Sequence, residues 1–241
     1  MKLLYAMVLM IASGFPLLVH AYDWTGFYAG INAGYAISDK DVRITGDNSP
    51  GGTQAAQAAG SIPTKVDVDD DGFIGGIQVG YNWQAETYVW GLEADIAYVD
   101  IGETTAVPNN DAGWIVTQTT VSRDLDWLAT IRGRAGKLLS PDLLAYATAG
   151  VAFGDATQSV SVGTTDVGTS FSSADELIGW TLGVGSEWSL TNNITLKGEY
   201  LYFNLDIHMP EAHMPGANQV YQQANTDFEG HIVRIGLNMK F

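Results

Sequence analysis

The sequence predicts an all-β protein: an eight-stranded antiparallel up-and-down transmembrane β-barrel. Three observations carry this expectation. Apolar and polar residues alternate along about eight segments, placing successive side chains on opposite faces of a strand. The connections between these segments alternate long and short. Aromatic residues recur eight positions apart on the apolar face of single segments.

The 241 residues could form one large all-β domain. Hydrophobic residues make up 46% and charged residues 16%, yet past the N-terminus no apolar run is long enough for a spanning helix. Alternation with 28 glycines, 11 tyrosines and 8 phenylalanines suits a barrel instead. A formal charge of −16 argues against a nucleic acid partner, which needs a basic surface. Without cysteine there is no disulfide framework, thiolate zinc site or thiol nucleophile.

At the N-terminus, Lys2 precedes an apolar stretch, and Val19 and Ala21 are small residues at the −3 and −1 positions of a cleavage site. Residues 1–21 are expected to be a secretory signal peptide, and residues 22–241 the barrel.

The expected strands follow in order. The first, 26–36, sets Phe27, Ala29, Ile31, Ala33 and Tyr35 against Tyr28, Gly30, Asn32 and Gly34. A polar stretch, 38–71, reads as a long loop. The second strand, 72–83, and the third, 88–99, form a hairpin. On the third, Trp90, Leu92, Ala94, Ile96 and Tyr98 oppose Glu93 and Asp95. A loop over 102–122 precedes the fourth strand, 124–137, where Arg132 and Arg134 share a face. After a turn at Ser140, Pro141 and Asp142 comes the fifth, 143–153, with small or apolar residues in both phases and no assignable face. A loop over 154–175 leads to the sixth, 176–189, with Glu187 on its polar face. The tight turn at 191–193 opens the seventh, 194–203, carrying Lys197 and Glu199. A loop over 204–230 precedes the last strand, 231–241, with Arg234 on its polar face and Phe241 at its end.

Four long loops on one side and three tight turns on the other are the connections of an outer-membrane barrel. The pairs Phe27/Tyr35, Trp90/Tyr98 and Trp180/Trp188 fit the same picture. Eight residues at ~3.3 Å each, tilted by ~40°, rise roughly 20 Å, close to an apolar band of ~25 Å between aromatic girdles. The polar faces then line the interior. Glu93, Asp95, Glu187 and Glu199 are expected to meet Arg132, Arg134, Lys197 and Arg234 there, a balanced set of four acids and four bases. The inward glycines 30, 34, 91, 179, 183 and 185 leave some room, so a closed interior and a thin water path both stay open at this point.

With the strands in place, a family resemblance emerges. Trp-Thr-Gly-Phe-Tyr-Ala-Gly at 24–30 and Gly-Phe-Ile-Gly-Gly-Ile-Gln-Val-Gly-Tyr-Asn-Trp-Gln at 72–84 resemble the alphaproteobacterial outer-membrane immunogenic proteins, an opacity-like, small-porin family. Tyr-Ala-Thr-Ala-Gly-Val-Ala-Phe-Gly at 146–154, Gly-Trp-Thr-Leu-Gly-Val-Gly-Ser-Glu-Trp at 179–188 and the terminal Phe241 are similar too. The resemblance implies an OmpA-like barrel inserted by the barrel-assembly machinery through its C-terminal aromatic strand, with Phe241 as assembly signal. It also implies a surface-antigen role, with small-porin or haem-binding roles as alternatives.

Two further motifs are candidates for ligand binding. Asp67, Asp69 and Asp71 stand at positions 1, 3 and 5 of a calcium-loop-like run with Gly72 at 6, but position 12 is Gln78. A solvated acidic loop explains the run better than a divalent or lipopolysaccharide-bridging cation site. His208 and His213, near Met209 and Met214, could ligate metal or haem, or be ordinary loop residues. No histidine stands beside a recognisable nucleophilic serine motif, so neither enzyme activity nor a cofactor is expected. The expected partners are outer-membrane lipids and lipopolysaccharide, the barrel-assembly machinery and, through the loops, host or surface ligands.

Overall fold

The computed structural model describes residues 22–43, 45–46, 53–58, 64–108, 118–163, 168–206, 212–213, 221–223 and 228–241. Eight strands form a closed antiparallel barrel: β1 (Gly26–Arg43), β2 (Lys65–Ala85), β3 (Tyr88–Pro108), β4 (Gln118–Ser140), β5 (Leu143–Gly163), β6 (Gly168–Ser189), β7 (Ile194–Asp206) and β8 (Phe228–Lys240). Each pairs with its sequence neighbours, and β1 closes the ring on β8 from Tyr28↔Lys240 to Ile37↔His231. Closure leaves no free edge in the membrane, where an unpaired amide would have no water partner. Among the described residues, one short helix, Thr53–Ala58, and the short strands Thr45–Gly46, Ala212–His213 and Tyr221–Gln223 lie outside the barrel sheet.

The barrel is inside-out relative to a soluble protein. Ile31, Ile77, Leu92, Ile131, Leu182, Ile235 and Leu237 all point outward and are exposed. Asn32, Gln78, Glu93, Arg132, Lys197 and Arg234 are buried within. Such an exterior is costly in water and favourable against lipid chains. Aromatic rings frame the band. Phe27 and Tyr81 pack edge-on at 4.5 Å near the tight-turn end, and Trp180 and Tyr202 lie 5.2 Å apart near the other. Of the expected aromatic pairs, Phe27 and Tyr35, Trp90 and Tyr98, and Trp180 are exposed on the outer face, and Trp188 is half-buried.

The tight turns sit at Glu86–Thr87, Pro141–Asp142 and 190–193. Glu86 adopts a φ of 54°, the left-handed conformation that a two-residue hairpin of this kind demands. In the 190–193 turn, Thr191 Oγ1 accepts from the backbone N–H groups of Asn193 and Ile194 at 3.3 and 3.0 Å.

Three expectations need correction. First, the strands outrun their expected limits. Residues 38–43 and 65–71, 102–108 and 118–122, and 154–163 and 168–175 are strand, so β2, β3 and β5 reach 21 residues, β6 22 and β4 23. At ~3.3 Å per residue and ~40° tilt, 21 residues rise roughly 50 Å, about twice the apolar band. The excess stands outside the bilayer, where lipid no longer imposes alternation. Second, the acidic run expected as a solvated loop is strand. Its backbone is straight strand within β2, with Asp69 opposite Asp39 and Asp67 opposite Asp41, whereas a calcium loop must wrap its ligands around one point. Third, β4 is not regular throughout: a register shift between Leu125 and Trp127 lets Leu125 face inward together with Leu128. The proposed signal peptide, residues 1–21, and His208 lie outside the described residues, and His213 is described only as backbone, opposite Tyr221.

Candidate functional site: the charge network of the barrel interior

Register alone brings opposite charges face to face. Glu93 on β3 pairs directly with Arg132 on β4, Glu199 on β7 with Arg234 on β8, and Glu187 on β6 with Lys197 on β7. Asp95 pairs with Thr130, whose hydroxyl donates to its carboxylate at 2.6 Å. Arg134 stands opposite Gly91, which leaves its long stem free to turn into the lumen.

The same groups then reach across the lumen. Lys197 Nζ donates to both carboxylate oxygens of Glu93 at 2.9 and 3.0 Å. Arg234 Nη1 meets Asp95 Oδ1 at 3.0 Å while its Nη2 holds Glu199 at 2.6 Å. Arg134 Nη2 donates to Glu187 Oε2 at 2.6 Å. Arg132 touches three acids: Glu93 at 2.5 Å, Asp95 at 2.9 Å and Glu199 at 3.1 Å. All eight residues that the alternation points inward are thus gathered into one network, each no more than 7% exposed.

Uncharged groups complete the network, and these the sequence reading missed. Tyr28 Oη donates to Glu93 Oε2 at 2.7 Å, and Tyr146 Oη donates to Glu199 Oε1 at 2.9 Å. The Arg134 guanidinium lies between the two rings, 4.2 Å from the centroid of Tyr146 and 5.7 Å from that of Tyr28. Thr195 and Asn238 donate to Glu187 Oε1 at 2.5 and 2.8 Å. Gln78 joins Asn238 to Asn32 at 2.5 and 3.0 Å. Tyr28 carried a usable signal as an aromatic ring in the polar phase of its strand. Tyr146 did not, because its strand alternates small and apolar residues in both phases.

Buried apolar clusters lie on either side of the network. On the long-connection side Ile74, Val99, Leu125, Leu128, Leu201, Phe203, Leu205 and Ile232 form one buried cluster, each no more than 2% exposed. At the tight-turn end Trp24, Val89, Leu144 and Tyr146 form a second. The room that the inward glycines suggested is taken up at several positions by neighbouring side chains. A Cβ on Gly183 would lie 2.4 Å from Leu201 Cδ2, and one on Gly185 2.5 Å from Tyr146 Oη. On Gly30 it would meet Asn238 Oδ1 at 2.1 Å. The space these glycines vacate is filled by neighbouring side chains.

Chemically the network is saturated. Each of the four carboxylates accepts from cations and hydroxyl or amide groups, so none stands free as a base or nucleophile. Among the described residues no three His, Cys, Asp or Glu side chains are arranged to hold a metal ion.

A family model for the outer membrane protein beta-barrel domain matches residues 4–241. The chain belongs to that family. It is 34% identical to the 31 kDa outer-membrane immunogenic protein of Brucella melitensis over 232 residues, covering 92% of this chain and 86% of the relative. It is 38% identical to the 22 kDa outer membrane protein of Rhizobium leguminosarum bv. viciae over 132 residues, or 54% of this chain and 52% of that one. Among solved structures, the outer membrane protein OprG of Pseudomonas aeruginosa superposes with a TM-score of 0.52 at 14% identity, covering 92% of this chain and 98% of that one. That likeness concerns the fold alone. Family and fold together make this an integral outer-membrane β-barrel, and its apolar band lies in that membrane. The tight turns and both barrel ends of the chain then face the periplasm, and the strand extensions face outward.

Proposed function

We propose that the protein is a closed, non-conducting barrel that stabilises the envelope and presents its strand extensions at the cell surface as an antigen. One observation carries the closure: a charge network that spans the lumen from wall to wall, lying between two buried apolar clusters. An ion crossing it would have to break bridges between buried charges and then enter a layer of Leu, Ile and Phe side chains. The hydrogen bonds and ion pairs that hold all four interior carboxylates support a structural role for them. The printed names of the relatives describe immunogenic outer-membrane proteins, which supports the antigenic part of this reading.

The partners follow from the surfaces. Lipid chains and lipopolysaccharide cover the outward band and its girdles. Phe241, 74% exposed, donates its backbone N–H to Phe27 O at 3.0 Å, so the last residue extends the β8–β1 seam. This supports a role for the terminal aromatic residue as a signal to the barrel-assembly machinery. The extensions of β3 to β6 offer host or surface ligands a place to bind. Liposome swelling tests the closure: vesicles carrying the refolded chain should swell in arabinose no faster than empty ones. Rapid swelling would favour the small-porin reading.

A further inference from the structure

Among the described side chains, Arg132, Arg134, Lys197, Arg234 and Lys240 each pair with a carboxylate. Lys137 stands apart. It is exposed on the outer face of β4, in the same phase as Ile131, and no described carboxylate lies within ion-pairing distance of it. Its ammonium instead lies over the ring of Tyr88, 5.8 Å from the centroid. Tyr88 is its register partner on β3 and is also exposed. The acids of the two flanking turns are placed elsewhere: Asp142 accepts from Ser189 Oγ at 3.1 Å, and Glu86 sits in the β2–β3 turn.

The depth of this cation sets its chemistry. Two residues toward the membrane centre on the same face, Trp90 is opposite Ala135, and Trp83 of β2 is opposite Trp90. Both tryptophans are exposed and belong to the periplasmic girdle, whose rings sit at the level of the lipid headgroups. Two residues at ~3.3 Å each and ~40° tilt put Lys137 roughly 5 Å beyond them, among the headgroups. Leu139, two positions nearer the turn, is exposed as well, so apolar surface continues past the lysine. An ammonium set in such a surface is poorly hydrated on its lipid side and calls for a counter-charge. No described side chain supplies one, and the anion available at that depth is a lipid phosphate. Toward the membrane centre from Lys137, β4 offers only Ala135 and Gly133. A Cβ on Gly133 would meet nothing nearer than Ala149 O at 4.0 Å, so acyl chains can lie flat against the sheet beside Trp90.

We propose that Lys137, held over Tyr88, is a binding site for one anionic phospholipid of the periplasmic leaflet, with the headgroup phosphate on the ammonium. The Tyr88 ring keeps the ammonium at the β3–β4 seam, where it faces the headgroups. A net-negative headgroup is preferred over a zwitterionic one, because the latter carries an ammonium of its own that competes for the phosphate.

The test is native mass spectrometry of the full chain, refolded in micelles that contain equal amounts of phosphatidylglycerol and phosphatidylethanolamine with identical acyl chains. Heat-dependent gel mobility first establishes that each variant is folded; Lys137 is exposed, so its replacement leaves the packed interior untouched. The unaltered chain is expected to retain one phosphatidylglycerol in preference to phosphatidylethanolamine. Lys137→Gln should lower that preference about five-fold, the weight of one lysine at an anionic surface. Lys240→Gln removes the same charge at the same rim, but from a lysine paired with Asp23, and should leave the preference unchanged. No preference in the unaltered chain, or one that survives Lys137→Gln, would overturn the proposal. Equal losses from Lys137→Gln and Lys240→Gln would overturn it too, since they would show a diffuse effect of charge and no site.

Discussion

Replacing Arg132 by methionine tests the interior network at its most connected point. Arg132 is 1% exposed and lies 2.5 Å from Glu93, 2.9 Å from Asp95 and 3.1 Å from Glu199. Its Nε also donates to Thr130 Oγ1 at 2.9 Å. Methionine keeps much of the apolar volume, so the loss is dominated by charge. Four buried acids are then left with three buried bases. Removing one partner of a buried pair costs about 3–5 kcal/mol, because the other charge stays desolvated and unpaired. Three shared carboxylates place Arg132→Met toward the upper end, about 4–5 kcal/mol. Adding Glu93→Gln restores three acids against three bases, so the double variant should be more stable than the two single losses would sum to. A coupling of about 2 kcal/mol or more is expected. Urea unfolding in detergent, followed by tryptophan fluorescence and by heat-dependent gel mobility, measures both quantities. A loss below about 1 kcal/mol, the worth of an exposed pair, would refute the reasoning. So would strict additivity in the double variant.

Other substitutions probe the remaining layers. Gly185→Ala, whose new Cβ would sit 2.5 Å from the Tyr146 hydroxyl, should destabilise by about 1–3 kcal/mol in the same urea assay. Gly198→Ala, with nothing within 4 Å of the new Cβ, should be neutral or gain about 0.4–1 kcal/mol; equal effects at both glycines would contradict a filled lumen. Leu182→Arg, on the outward face, should cost about 2–4 kcal/mol in lipid, and a silent outcome would place that face outside the membrane. Burial, then the charges of Glu187 and Asp23, push the Tyr22 phenol up from 10.0 to about 12. Because its folded-state value is the higher one, its contribution to stability is present below pH 10 and is lost as pH rises toward 12. Tyrosinate absorbance of the unaltered chain minus Tyr22→Phe should show that titration, and a midpoint near 10 would contradict the buried placement.

What the sequence disclosed follows the reach of the membrane. Between the girdles, lipid on one side and a packed lumen on the other force period-two alternation, so strand centres, the faces of β1 to β4 and β6 to β8, and the inward charges were all legible. Past the girdles that constraint vanishes. The upper parts of β4, β5 and β6 are rich in Ser, Thr, Gly and Asp, and such composition reads as loop. The faces of β5 stayed hidden for a different reason. Its inward Leu144 and Ala152 belong to the apolar clusters, so Ala147 and Ala149 opposite them supply no contrast. The same clusters explain why Leu201 and Phe203 gave no sign of an inward role, since an apolar residue inside the barrel looks like one outside it; Ile232 was legible only by sharing its phase with Arg234. The inward glycines suggested room because sequence alone cannot show that Tyr146, Leu201 and Asn238 lean into their places. Trp24 lies before the first strand and belongs to no alternation at all.

The central claim is that side chains close this lumen from wall to wall. Single-channel recording in a planar bilayer tests it most directly, on chain first shown to be folded by its heat-dependent gel mobility. The account predicts a quiet bilayer for the unaltered protein. Discrete conductance steps that change with Arg132→Met or Glu187→Gln would contradict it, since they would show ions passing through the network that is meant to close the barrel.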